Sequence, residues 1–115
     1  MTDRVYKIAH QTEWDEMAKT GTFSGSADDK RDGFIHLSAA GQVRATFERY
    51  FAAEDNLLLV TLESARLGPA LKWEPSRRGE PFPHLYAPLP MGWVHSVIPI
   101  RRDGNGRPIF PLEIL

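Results

Sequence analysis

The spacing of apolar positions changes several times along the chain, and each change marks an element. Val5-Tyr6-Lys7-Ile8 alternates, with Val5 and Lys7 on one face and Tyr6 and Ile8 on the other, which predicts a first strand. Thr12 offers a hydroxyl N-cap with Asp15 three residues on, and Trp14, Met17 and Ala18 share a helical stripe that Gly21 stops. Residues 21–33, rich in Gly, Ser and Asp, carry no apolar period and predict a long surface loop of the kind that often has a function. Phe34–Leu37 reads as a compact strand. Ser38 then caps a longer helix on which Ala40, Val43, Phe47, Tyr50 and Phe51 recur at three- and four-residue intervals.

Leu57–Leu62 is a nearly continuous apolar run, as expected of a strand covered on both faces at the centre of a sheet. Gly68-Pro69 breaks the chain before a short strand over Leu71–Trp73. Five prolines between Pro75 and Pro90 cannot donate backbone hydrogen bonds, so that stretch is expected to be loop or sheet edge. Val94–Ile100 reads as a closing strand. Asp103-Gly104-Asn105-Gly106 signals a tight turn, after which Ile109–Leu115 returns as a final edge strand. With no repeat or linker, residues 1–115 are expected to form a single α+β domain, mostly antiparallel, with two helices.

Composition narrows the function classes. A chain of 115 residues with 42% hydrophobic and 25% charged positions has the profile of an ordinary globular domain. Cysteine is absent, which removes disulfides, thiolate nucleophiles and cysteine-ligated metals and suits a reducing cytoplasm. No segment has the apolar length of a signal peptide core or a spanning helix, so neither export nor membrane insertion is expected. The net charge is −1, and the 14 Lys and Arg are spread along the chain, with arginine pairs at Arg77-Arg78 and Arg101-Arg102. Duplex nucleic acid is not an expected partner. A small anionic group needs only one or two arginines and stays open. The oligomeric state is open as well, with a monomer favoured.

Two segments carry candidate chemistry. In Phe34-Ile35-His36-Leu37, alternation turns Phe34 and His36 away from the apolar pair Ile35 and Leu37. His36 also sits two residues before a helix start, where free N–H groups at Ser38 and close approach at Gly41 suit phosphate or carboxylate. The same pattern suits a plain cap and a hydrogen-bonded structural imidazole. In Phe82-Pro83-His84-Leu85-Tyr86, Pro83 keeps the backbone extended, so Phe82, His84 and Tyr86 project to one side as an aromatic wall. Aromatics that simply cover the core are the alternative. Glu74 and the pair Arg77-Arg78 lie close by in sequence and offer a clamp for an anion, or else solvated surface. His10 and His95 belong to neither segment and are expected to be structural or exposed. HExxH, GxGxxG, Walker and GxSxG motifs are all missing.

VYKI, Trp14 in a short helix, DGFIHLS, Gln42, LLLV, LGPALKWEP and FPHLY, in that order over nearly the whole chain, resemble a bacterial family of unknown function numbered 952. The resemblance implies a fold similar to ADP-ribosyltransferase-like domains, whose split sheet forms a cleft for NAD. In such enzymes a polar first-strand residue and a second-strand motif grip the nicotinamide ribose, roles that fall here to Lys7 and to His36 with Ser38. A later acidic residue directs the nucleophile. FPHLY contains none, and Glu74 is the nearest stand-in. The resulting expectation is a cleft for a nucleotide-like ligand, with NAD as a candidate substrate for ADP-ribosyl transfer or hydrolysis. His36 and His84 would be catalytic there, and Lys7, Ser38, Gln42, Glu74 and Tyr86 would bind the ligand. A non-catalytic ligand-binding or interaction module is the alternative; no metal ligand set is assigned, and a metal-dependent activity using His36 and His84 is a third reading.

Overall fold

The computed structural model describes residues 4–114. Alternation at the N-terminus extends into a seven-residue strand, β1 (Arg4–His10), paired antiparallel along its whole length with β4 (Leu57–Glu63). On the far edge of β4 lies β8 (Val94–Pro99), giving a sheet of order β1-β4-β8. As expected, the apolar run is central. It is apolar on both faces because both are covered. One cluster gathers Val5, Ala9, Val60 and Leu62 with Met17, Phe23, Ile35 and Leu85, and a second gathers Tyr6, Ile8, Leu57 and Leu59 with Val43, Phe47 and Ile114.

A second sheet runs β3 (Ile35–His36), β6 (Pro81–Leu85), β5 (Leu71–Pro75) in that order. The two sheets join at one bridge, where Tyr6 and Ser38 exchange both backbone hydrogen bonds at 2.8 Å. Two-residue ladders pair β2 (Thr22–Phe23) with β7 (Leu89–Pro90) and β9 (Arg101–Arg102) with β10 (Pro108–Ile109). The architecture is mixed α/β with antiparallel ladders and several short helices. Among the described residues no helix is long and apolar enough to cross a membrane.

Six expectations change. Helix α1 (Gln11–Thr20) is capped by His10, whose N–H donates to Glu13 Oε1 at 2.8 Å, and not by Thr12. Strand β1 runs straight into this helix, so Glu13 is the acid placed to reach back; its end at left-handed Gly21 is as expected. Residues 21–33 are not one loop, since they contain β2 and the six-residue helix α2 (Ala27–Asp32). Ser26 Oγ accepts from Asp29 N–H and Asp29 Oδ2 from Ser26 N–H, a capping box that closes the first turn. The one buried residue of α2 is that aspartate, so no apolar period betrays the helix.

Ser38 is not a cap either. Its N–H and C=O are spent on Tyr6, and a 3-10 turn over Ala40–Gln42 intervenes before α3 (Val43–Tyr50). An anion site built on free donors at Ser38 is therefore lost. Strand β6 is the middle strand of its sheet despite two prolines. Leu37 N–H donates to the Pro83 carbonyl and Gln42 Nε2 to the Pro81 carbonyl. A strand residue's nitrogen and carbonyl face the same edge, so both proline nitrogens point to the side where β3 has already ended. Finally, the C-terminal strand stops at Ile109, and the chain then turns inward to bury Ile114. Leu115 lies outside the described residues. With α4 (Ser64–Leu67), the helices number four among the described residues, not two.

Gly25 positions α2. It adopts φ +114°, and a Cβ there would meet Asp29 Cβ at 2.8 Å. Gly25→Ala is expected to cost about 1–3 kcal/mol in chemical unfolding. An unchanged midpoint would mean that the turn relaxes freely.

Candidate functional site

At the seam between the sheets a cleft of about 270 Å³ opens, lined by Lys7 of β1, Asp29 and Asp32 of α2, His36 of β3, Ser38 at the bridge to β1, and His84 of β6. His36 and His84 are register partners across β3 and β6. Their rings stand edge to face with centroids 5.8 Å apart, and Phe34 stacks on His84 at 3.9 Å. The two imidazoles, 48 positions apart in sequence, share one hollow.

Asp29 is the hub of its lower half. Its carboxylate, 2% exposed, accepts from Lys7 Nζ at 2.9 and 3.1 Å, from His36 Nδ1 at 2.6 Å, and from the N–H groups of His36 and Ser26. Burial opposes ionisation here, yet the His36 hydrogen bond, the Lys7 charge and the two backbone donors together hold this carboxyl well below the usual carboxylate range. On the other side of the His36 ring, Nε2 lies 2.9 Å from Asp32 Oδ2. His36 is thus held between two carboxylates.

His84 is held from one side only. Glu74 Oε1 accepts from its Nδ1 at 2.8 Å and from Tyr86 OH at 2.7 Å, and the bonds to Tyr86 and His84 depress the Glu74 carboxyl while the Glu74 bond raises the Tyr86 phenol. A carboxylate only accepts, so Nδ1 carries the hydrogen and, in the neutral ring, Nε2 carries a lone pair. No described buried side-chain nitrogen or oxygen lacks a partner. Nε2, which has none among the described residues, therefore keeps solvent contact. A carboxylate-oriented imidazole with one open nitrogen can accept or deliver a proton.

A family model described as "Protein of unknown function (DUF952)" matches residues 8–97, well over half of the chain. The chain belongs to the DUF952 family. Its fold is similar to the crystal structure of protein CC0527 from Caulobacter crescentus, at 44% identity and a TM-score of 0.87, with 92% of this chain and 93% of that one covered. The solution NMR structure of CC0527 is similar too, at 45% identity and a TM-score of 0.83, covering 94% and 92%. No curated protein matches.

Of the residues singled out from sequence, this DUF952 chain brings Lys7, His36, Ser38 and His84 to the cleft. Glu74 and Tyr86 sit behind His84, outside the lining. Gln42 is a strut: its Oε1 accepts from Ala39 N–H and its Nε2 donates to the Pro81 carbonyl, so both ends brace the turn, and it lies outside the cleft lining. Asp29 and Asp32 were hidden in the supposed loop, although the Ser26-x-x-Asp29 spacing is a helix-start signal that sequence alone contains. His10 pairs with Glu13 and Glu54, and His95 with Glu63 and Arg4, all away from the cleft. Among the described residues no group of three or more His, Asp or Glu side chains could hold a metal ion.

The Asp29 network sets a pH dependence. Its folded carboxyl titrates below its unfolded counterpart, so the stabilisation is complete above about pH 4 and is lost as pH falls from there toward the folded value. Urea midpoints are expected to drop as pH falls below about 4, and less steeply in Asp29→Asn. Equal slopes in the two proteins would assign the effect to other carboxylates.

Proposed function

We propose that the cleft binds a nucleotide-like ligand, with NAD the leading candidate, and that its reaction is transfer or hydrolysis of the ADP-ribose unit. The observation that carries this reading is His84: its Nδ1 is fixed by Glu74 and its ring lines the same hollow as Lys7, His36 and Ser38. The ADP-ribosyltransferase-like resemblance asks for an acid that directs the nucleophile. In this reading the Glu74–His84 pair takes that role, Glu74 as a positioning residue and His84 as the proton acceptor. The C1′–N bond of the nicotinamide ribose breaks, the bonding pair leaves with neutral nicotinamide, and the incoming water or acceptor hydroxyl forms the new C1′–O bond. Its proton passes to His84 Nε2, and Glu74 stabilises the imidazolium.

A small hollow of about 270 Å³ is near the lower limit of the roughly 300–1,000 Å³ usual for small-molecule sites. The ligand therefore extends past the rim, with its reacting end inside.

One observation favours a second reading, a binding module without chemistry. Lys7, Asp29 and His36 saturate one another, so much of the polar lining is already committed. Calorimetric titration with NAD and ADP-ribose, followed by long incubation and assay of free nicotinamide, separates the two. Binding is expected to raise the unfolding free energy by about 2.7 kcal/mol at 100 times the dissociation constant. Binding without nicotinamide release leaves the module. No binding of either compound at millimolar concentration removes the nucleotide reading.

A further inference from the structure

We propose that Arg77 is the phosphate-recognising residue of this cleft and restricts its ligands to those carrying a phosphate or pyrophosphate group. The inference deepens the nucleotide reading of the same site, and rests on it only for the identity of the rest of the ligand.

Charge accounting around the hollow isolates this side chain. Three Lys or Arg residues line it: Lys7, Arg31 and Arg77. Lys7 is neutralised by Asp29 at 2.9 Å, and Arg31 by Asp28 and Asp32 at 3.2 and 3.0 Å. Arg77 has no carboxylate partner among the described residues. Arg77 is a half-buried residue whose guanidinium lies over the Phe82 ring at 4.8 Å and the Tyr50 ring at 5.6 Å. A cation so placed is partly stripped of water without a counter-charge, which an anionic ligand would supply.

The group is also pre-arranged. Nη2 donates to Thr46 Oγ1 at 2.7 Å, and the two rings fix the plane of the fork, so little side-chain entropy remains to be lost. Of its five N–H groups, the others find no acceptor among the described residues. Thr46 Oγ1 accepts from Arg77 and from Ser38 Oγ, which leaves its own hydrogen to donate. Ser76, on the turn that carries Arg77, lines the same wall. That turn is closed by Ser76 N–H to Glu80 O at 2.9 Å even though Arg78 adopts the left-handed φ of 56°. A planar fork with hydroxyl donors beside it suits the three oxygens of a phosphate better than the two of a carboxylate.

The test titrates the full chain by calorimetry with inorganic pyrophosphate, ADP-ribose and adenosine, using wild type, Arg77→Met, Arg77→Lys and the control Arg78→Gly. Arg77→Met is expected to weaken ADP-ribose and pyrophosphate about 10- to 100-fold while Arg78→Gly matches wild type. Adenosine, without phosphate, is expected to bind equally to all four. Arg77 covers Phe82, so circular dichroism and melting accompany each variant. Where the Met variant does not fold, Arg77→Lys keeps the stem and charge but loses the fork, and is expected to lose about 5-fold or more. ADP-ribose bound equally by wild type and the Arg77 variants overturns the inference and leaves the nucleotide reading intact. Arg77-dependent pyrophosphate binding with no nucleotide binding supports the inference and removes the nucleotide reading. No binding of any phosphate compound overturns the inference.

Discussion

Asp29→Ala is expected to lower the melting temperature by about 12–20 °C. Removing one partner of a buried ion pair leaves the other charge uncompensated, at a cost of about 3–5 kcal/mol, and in a domain of this size each kcal/mol moves the midpoint by about 4 °C. Lys7 is 8% exposed and has no other carboxylate partner among the described residues, so its ammonium would be stranded. The cost is compounded because the same carboxylate satisfies the His36 ring, the His36 N–H and the Ser26 N–H. Combining Lys7→Met with Asp29→Leu removes both charges and should recover part of the loss. Recovery stays incomplete, since three other donors still lack their acceptor. A differential scanning measurement in which Asp29→Ala loses less than about 4 °C would show that water enters the hollow and solvates Lys7, and the buried-hub account would fail.

The second large effect is on chemistry. His84→Ala is expected to reduce the rate of nicotinamide release by about 100- to 10,000-fold, the usual range for a lost general base. Binding of ADP-ribose should change far less, because in the proposed reading its phosphates are held by Arg77 and Thr46. Glu74→Gln is the sharper probe. Its carboxamide oxygen still accepts from Nδ1 and preserves the tautomer, but it no longer stabilises the imidazolium. A lower kcat with KM nearly unchanged, and an altered pH–rate profile, identify a positioning role; a purely structural role would move stability and leave the pH profile alone. Tyr86→Phe removes only the outer donor to Glu74 and should have the smallest effect of the three. Nicotinamide released by His84→Ala at the wild-type rate would end the proton-acceptor assignment.

Much of the fold is legible from short-range pattern. The Leu57–Leu62 run, the Val94 strand, the Gly21 stop and the alternation at Val5–Ile8 all find their places, because each depends on spacing within one element. The misreadings share one cause. Ser38 has the chemistry of a cap, but its backbone was claimed by Tyr6, 32 positions earlier. The prolines of β6 argue against a central strand, unless one knows that β3 is only two residues long. Gln42 has the chemistry of a ligand group and is spent on bracing the turn before α3.

The amino-acid order by itself determined that His36 projects away from Ile35 and Leu37, that Phe82, His84 and Tyr86 share a side, and that no thiol chemistry is available. Alternation along a strand and composition are local facts that survive any packing. Only the tertiary structure decided that β3 and β6 pair with His36 opposite His84, that Asp29 folds under Lys7, and that Glu74 rather than Asp29 orients the imidazole with the open nitrogen. Those outcomes depend on register between strands and on which buried charge finds which partner. Both are settled by the summed free energy of the whole assembly, and no window of sequence contains that sum.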